Sequence, residues 1–469
     1  TAWRNMAELV GEKDIAPVVQ ANSPQREIWE RQINHFWEIS WCLSADKNAS
    51  NLLDRRKNWR THVLADEPGV KCSLMEGYQE LSGALKPGKQ NREVQGFWDA
   101  VRGQKIEIAR DIREDEHLCA IAFVKRRFVH HFEQLKVELS AVGRNPAKTL
   151  HGWKLPTSVP SIAYLAAAPW LAATIKASAE NEKVQEAISS LERGLRLLDT
   201  PWEGRVLEHI QQVCNQVGYK GGQWKQVDGQ YLYPQTVLQD IKAAEQQGSP
   251  TKDDAPILEA VGKHLTIIRR ETGLGEPSPF YAILLMDGDS LGVQMSDAAK
   301  QQGISNGLNN FTAGVPNIVE QHSGFLVYAS GDDVLAILPQ PFALACAVAI
   351  QQHYDACFED ENKKLDAKHQ ITTSISGAIN FAHYKTPLTR ILQDSHALLD
   401  NVAKDATGRN SLAIRLWKPG GLNAEWAAPW PYVRALQVIS QQVAEHLQGD
   451  LARGFFFKLE TVINDLGLT

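Results

Sequence analysis

The stretches "YAILLMDGDSLG" at 281–292 and "GFLVYASGDDVLAILP" at 324–339 are runs of apolar and aromatic residues interrupted by paired aspartates. Short apolar runs bounded by turn residues read as buried strands. The first predicts a strand ending at Asp287. The second predicts two strands joined through Gly331-Asp332-Asp333, a hairpin with carboxylates at its tip. With the first strand beside the hairpin, Asp287 approaches Asp332. Like charges at that range repel strongly unless a cation lies between them. Hard carboxylate oxygens at one sheet edge suit Mg²⁺, which takes one or two carboxylates and completes its shell with water and substrate phosphates. Gly288 lets the backbone come close to such a cation, and its carbonyl is a further candidate ligand; Gly331 does the same at the hairpin.

Outward from these strands the texture stays regular. A helical stretch of about 30 residues, interrupted by Gly303, Gly307 and Gly314, follows the first. "PFALACAVAIQQHYDACFEDENKK" reads as an amphipathic helix, "ITTSISGAIN" as a strand, "TPLTRILQDSHALLDNVAKDA" as a helix and "NSLAIRLWK" as a closing strand. The order β-α-β-β-α-β-α-β predicts an α+β domain over 256–418. Its sheet is expected to be mostly antiparallel, with helices on one face.

The flanks divide by composition. Residues 1–64 read as helical, with Ile28, Trp29, Ile33, Phe36, Trp37 and Ile39 along one face. Residues 65–115, rich in Gly, Pro and charge, read as loop with short strands. Residues 116–255 read as a helical domain ending near the polar "EQQGSPTKDDAP", and 419–469 as a C-terminal helical domain. Lys125, Arg126, Arg127, His130 and His131 form a basic cluster, read either as a solvated helix face or as a contact for RNA or a partner.

At 469 residues, 43% hydrophobic, 22% charged and with a net charge of −6, the chain has a globular composition that argues against wholesale coating of nucleic acid. The apolar run "SIAYLAAAPWLAATI" is too short for a membrane span, and no signal peptide is evident. Six cysteines without any C-x-x-C pair read as free thiols in a reducing, cytoplasmic setting. P-loop, H-E-x-x-H and G-x-S-x-G patterns are absent.

The stretch resembles the palm domain shared by nucleic-acid polymerases, adenylyl cyclases and diguanylate cyclases. It is most similar to the polymerase-like large subunit of type III CRISPR effector complexes of the multimeric, Cmr-type branch. "MDGDSLG", "VYASGDDVLAILP", "AHYKTPL" and "AKDATGRNSLAI" carry the resemblance, with "EPGVKCSL" and "EHLCAIAFVKRRF" similar to that subunit's zinc-binding insert and the helix after it. It covers roughly residues 60–420. The resemblance implies a ferredoxin-like palm (cyclase) fold flanked by helical domains. It implies catalysis and metal binding by Asp287, Asp332 and Asp333, with Gly288 beside them. Nucleotide contacts would come from Asp289, Ser290, Ser330, Gly331, Lys385 and Lys404. Two Mg²⁺ (or Mn²⁺) ions would act with ATP.

The sequence also departs from that family. Ser330 replaces the first glycine of the usual Gly-Gly-Asp-Asp tip. Cys72 is followed by Met75 where a second cysteine is expected, and a thioether is a poor zinc ligand, so no structural zinc is expected. No His-Asp dipeptide occurs, so the nuclease domain that opens many relatives is not expected here, and 1–64 reads at most as the remnant of a first palm. The expectation is a nucleotidyltransferase subunit of a type III CRISPR antiviral complex. It would join adenylates from ATP, onto ATP or S-adenosylmethionine, when guide CRISPR RNA pairs with target RNA, with the helical flanks meeting other subunits and no membrane involved. The rival readings are a nucleotide-binding but inactive scaffold and a stand-alone diguanylate cyclase.

Overall fold

The computed structural model describes residues 2–37, 43, 66–140, 147–155, 157–198, 202–219, 221–247, 255–418 and 420–446. The chain divides into two compact units, Thr1–Thr157 and Ser158–Thr469. This division splits the expected 116–255 segment between them and joins the palm to the helices before it.

In the first unit, α1 (Ala2–Val10), α2 (Pro24–Asn34), α3 (Asn91–Arg102) and α4 (Ala120–Arg127) pack around Trp29, Trp98 and Phe123, beside a β1 (Lys136–Leu139)–β2 (Lys148–His151) ladder. Ser23 caps α2 by accepting from Arg26 N–H, with Pro24 in the first turn. α2 stops at Asn34. Trp37 is therefore 65% exposed instead of continuing the Ile28–Trp29–Ile33 core face, and Ile39 lies outside the described residues. The expected loop region at 65–115 contains α3, whose Val94, Trp98 and Val101 point inward at helical spacing. The basic cluster is also corrected. Arg127 and His131 both meet Asp14, Arg127 and His130 meet Asp111, and Arg126 pairs with Glu116. Of the five residues, Lys125 alone has no carboxylate partner among the described residues; it lies over the Phe36 ring.

In the second unit, α5 (Ile162–Ser178), α6 (Glu182–Leu195), α7 (Glu208–Gln216), α8 (Pro234–Gln247) and α9 (Ala255–Thr272) share a core centred on Trp224. The polar "EQQGSPTKDDAP" boundary falls largely outside the described residues. A six-stranded sheet follows, built from β3 (Phe280–Asp289), β4 (Phe325–Ser330), β5 (Asp333–Pro339), β6 (Ser374–His383), β7 (Ser411–Lys418) and β8 (Gly421–Pro429). Its spatial order is β4-β5-β3-β6-β7-β8. Every neighbouring pair is antiparallel except β6 and β7. β8 corrects the expectation of helix from 419: the C-terminal helix starts only at Trp430, and the segment before it pairs with β7.

The helices lie on both faces of the sheet, not on one. α10 (Ala298–Gln321), α11 (Ala343–Asn362) and α13 (Trp430–His446) cover Ala282, Leu284 and Met286. α5 and α12 (Leu388–Ala397), with the wider turns that continue it over Leu398–Ala406, cover Tyr281, Ile283 and Leu285. Burial on both faces is why β3 reads as a continuous apolar run rather than an alternation. Gly307 and Gly314 lie within α10 without interrupting it: a Cβ would come within 2.9 Å of the Phe358 ring at the first and 2.2 Å of His353 at the second. Among the described residues, no helix is long and apolar enough to cross a membrane.

Candidate metal and nucleotide site

The register fixes which carboxylates meet. β3 pairs with β5 up to Met286 opposite Val334, which sets Asp287 against Asp333 at the strand ends. On its other side Asp287 faces Ser376 of β6. The hairpin turns at Gly331, whose φ of +65° is a left-handed position that glycine adopts freely. Ser330, the departure from the Gly-Gly-Asp-Asp tip that the resemblance implies, ends β4 opposite Asp333 and is not in a left-handed conformation, so its backbone places no strain on the turn. Thr312 Oγ1 on α10 lies 3.1 Å from the Gly331 carbonyl oxygen and 2.8 Å from that of Leu308 in its own helix, so its single hydrogen is shared between the tip and the helix below.

Gly288 is required by packing. A Cβ there would lie 2.6 Å from Asp332 Cβ and 2.8 Å from its Oδ2. The absence of a side chain is what lets Asp332 reach the end of β3.

The electrostatics of this corner are unbalanced. Burial, followed by the Asp287 charge, pushes the Asp332 carboxyl up from its ordinary value. Burial likewise raises Asp333, and a shared hydrogen bond with Asp287 and the charges of both neighbours help carry it to about 6. Lys404, on the wide turns after α12, supplies the one direct counter-charge among the described residues and ion-pairs with Asp287 Oδ2. Helical segments with widened turns occur often at functional sites.

These residues fit a hydrated divalent cation. Clustered carboxylates short of positive charge are its natural donors, and Mg²⁺ needs only one or two of them. Asp287, Asp332 and Asp333 with the Gly288 carbonyl are the groups available to hold it. Among the described residues no group of three or more His, Cys, Asp or Glu side chains is placed to hold a metal ion together, so a cation here would draw on one or two of these carboxylates. An open site of this kind leaves coordination positions for phosphate oxygens.

Two expected nucleotide contacts are placed elsewhere. Asp289 is only 3% exposed and points inward, not toward a triphosphate. Its carboxylate accepts from Ser374 Oγ at 2.7 Å, from Ser376 Oγ at 2.9 Å and from Asn410 N–H at 3.1 Å, with Arg409 Nε at 3.9 Å. It thereby holds the left-handed Gly408-Arg409-Asn410 turn (φ +89°, +69° and +49°) that follows the Lys404 segment. Lys385 lies past the far end of β6, about 30 Å from Ser374 at strand rise, and donates to Gln239 Oε1. Ser290 stays at the end of β3 in a left-handed conformation (φ +64°).

Ser374 and Ser376 were not singled out from the sequence, although their i, i+2 spacing in a β-branched run puts both on one strand face. Asp289→Ala is expected to cost about 2 kcal/mol by leaving buried donors unpaired. Urea unfolding measures this, and a loss of only a few tenths would mean that the turn is held by other contacts.

Unit one has a second feature in the resembling region. Cys119 Sγ donates to Met75 Sδ at 3.8 Å, and Cys72 and Cys119 are both buried free thiols. The neighbouring Cys119 thiol, working against burial, brings Cys72 down to about 6, and the Cys72 thiol followed by burial pushes Cys119 up.

Residues 280–413 match the family model described as Cas10/Cmr2, second palm domain. A CRISPR system Cmr subunit Cmr2 from Pyrococcus furiosus is 32% identical over 189 residues, covering 34% of this chain and 21% of that protein. A CRISPR system CMR subunit Cmr2 from Saccharolobus solfataricus is 28% identical over 109 residues, covering 21% of this chain and 10% of that protein. The matched regions thus span about a fifth and a tenth of these relatives. Among solved structures, a chain in the cryo-EM structure of a type III-B Cmr-beta complex in its apo state aligns over 91% of this chain and 56% of its own length. Its sequence identity is 13% and its TM-score 0.45.

Proposed function

Because this chain belongs to the Cas10/Cmr2 family and carries its second palm domain at 280–413, we propose that it is the nucleotidyltransferase subunit of a type III CRISPR effector complex. Its product is an adenylate messenger made from ATP when guide RNA pairs with target RNA. The observation that carries this reading is the convergence of Asp287, Asp332 and Asp333 at the open end of β3 and β5, with Lys404 as their nearest cation.

Asp287 and Asp332 would hold the metal, with Asp333 beside them and the Gly288 carbonyl as a further candidate ligand. Two Mg²⁺ or Mn²⁺ ions, when bound, lower the pKa of an attacking hydroxyl and neutralise the leaving pyrophosphate. Lys404, paired with Asp287 in this structure, would place its ammonium on a phosphate when that carboxylate is taken up by a cation, a point charge on a flexible stem suited to that role. Ser330, Gly331 and Ser290 border the phosphates at the hairpin and at the end of β3. The chemistry needs little further acid–base apparatus, because phosphoryl transfer depends mainly on positioning and charge neutralisation. In this reading a ribose hydroxyl attacks the α-phosphorus of ATP, the new P–O bond forms and pyrophosphate departs. The acceptor is a second ATP or S-adenosylmethionine. The partners are the other subunits of the complex, guide CRISPR RNA and target RNA.

Metal binding by the chain itself has a pH signature. In the cation-free chain the raised Asp333 carboxyl stabilises the fold below its ordinary value of about 4, and that contribution is lost as pH rises through about 6. Protons and Mg²⁺ therefore compete for this corner. Added Mg²⁺ should raise the unfolding temperature little near pH 5 and clearly more near pH 7.5. Scanning fluorimetry at the two pH values tests this, and an equal shift at both would argue against carboxylate ligation here.

A further inference from the structure

Beneath the carboxylates lies a chain of hydroxyls that the proposed reaction does not use. Tyr354 on α11 is fully buried, and its hydroxyl lies 2.8 Å from Thr373 Oγ1. Thr373 Oγ1 lies in turn 2.8 Å from the Asp289 carbonyl oxygen, with the Ser374 carbonyl at 3.4 Å. Both carbonyls can only accept, so Thr373 gives its single hydrogen to them. The hydrogen between the two hydroxyls must then come from Tyr354. The direction of the chain is fixed: Tyr354 to Thr373 to the backbone at the end of β3.

That direction matters because of what else the phenol faces. The Tyr354 oxygen and Asp332 Oδ2 lie 2.9 and 2.8 Å from the same point, where a Gly288 Cβ would stand. No hydrogen bond joins the two in this structure, but a phenol released from Thr373 and swung across that gap would form a charge-assisted bond to the Asp332 carboxylate. It would occupy lone pairs that a cation needs.

We propose that Thr373 is a positioning residue that draws the Tyr354 hydroxyl hydrogen away from Asp332, keeping that carboxylate open to a divalent cation. The inference rests on the metal-site reading above and assigns Tyr354 and Thr373 a part in it without making either a ligand. Removing the Thr373 hydroxyl leaves a buried phenol donor without its acceptor, a state that buried groups escape by taking another partner. Asp332 is a carboxylate acceptor bordering the same gap at Gly288.

The test is a Mn²⁺ titration of the 469-residue chain, with free Mn²⁺ read by electron paramagnetic resonance. Thr373→Val is expected to weaken binding about tenfold, the effect of one modest hydrogen bond. Thr373→Ser, which keeps the acceptor, is expected to bind as the native chain does. Tyr354→Phe removes the competing donor and is also expected to bind normally. The decisive variant is Tyr354→Phe combined with Thr373→Val, in which affinity returns to the native range. Native affinity in Thr373→Val, or a double variant as weak as Thr373→Val, overturns the proposal. Circular dichroism checks folding, and Thr373→Ala takes the place of valine if the valine variant unfolds. Asp332→Ala separates the two readings. If it leaves Mn²⁺ binding intact, the metal site itself is wrong; if it abolishes binding while Thr373→Val has no effect, only the hydroxyl chain is wrong.

Discussion

Asp332→Ala is expected to reduce adenylate formation by the assembled complex by about a thousandfold or more, since one precisely aimed charge-stabilising group is worth about 10²–10³ in rate and, in the proposed reading, this one also holds the metal. The assay is mass spectrometry of products formed from ATP, with and without S-adenosylmethionine, in the presence of Mg²⁺ and matched target RNA. The mass of the native product identifies the acceptor. The alanine variant keeps the backbone of the hairpin, because Gly331 sets the turn and Thr312 holds its carbonyl. Product formed at native rate by the variant would remove this palm from the chemistry. A native complex that binds ATP and releases nothing would favour the scaffold reading. The backbone at Ser330 offers that reading no support, since it is not in a conformation that demands glycine. Consumption of GTP in place of ATP would move the assignment toward a diguanylate cyclase.

Asp14→Ala is expected to destabilise the first unit by about 3–5 kcal/mol, the range for removing one partner of a buried ion pair. Asp14 is fully buried, and its two oxygens meet Arg127 Nε at 2.9 Å, His131 Nε2 at 2.7 Å and Lys105 Nζ at 2.9 Å. Burial alone would raise its carboxyl, but these three partners hold it well below the usual carboxylate range. Its contribution is therefore present above pH 4 and lost only in strong acid. Removing it leaves Arg127, 2% exposed, with Asp111 as its remaining carboxylate. The control is Arg26→Ala, which breaks the exposed pair with Glu30 on α2 and should cost under about 0.5 kcal/mol. Urea unfolding of both variants gives the comparison, and equal losses would mean that the buried network adds nothing beyond a surface pair.

The convergence of the carboxylates was legible in the sequence because its determinants are local. Strand ends are marked by where an apolar run stops, and a hairpin tip by its Gly-Asp-Asp turn, so Asp287, Asp332 and Asp333 could be placed from a few residues each. Their pairing required only that β3 lie beside the hairpin, as the element order suggested. Lys404 came from resemblance, and the structure brings it onto Asp287.

What failed depended on partners far away in the chain. Asp289 looks like another carboxylate of the same motif, yet it sits two residues beyond Asp287. Its side chain is claimed by Ser374, Ser376 and the backbone of Asn410, a set assembled only when β6 and the turn before β7 are in register with β3. Lys385 follows a strand that does reach the site, but antiparallel pairing with β3 puts the beginning of β6, not its end, against Asp287. The basic run at 125–131 shows its charge in the sequence, while the acids that neutralise it, Asp14, Asp111 and Glu116, are identified only by the packing of the first unit. The sequence by itself determined where the strands stop and which turn carries the carboxylates, because backbone preference and apolar patterning act over a few residues. Tertiary structure decided which charged groups face the site and which are consumed inside the fold. Pairing partners are chosen by strand register and by the cost of leaving a buried charge alone, and neither is a property of any short stretch.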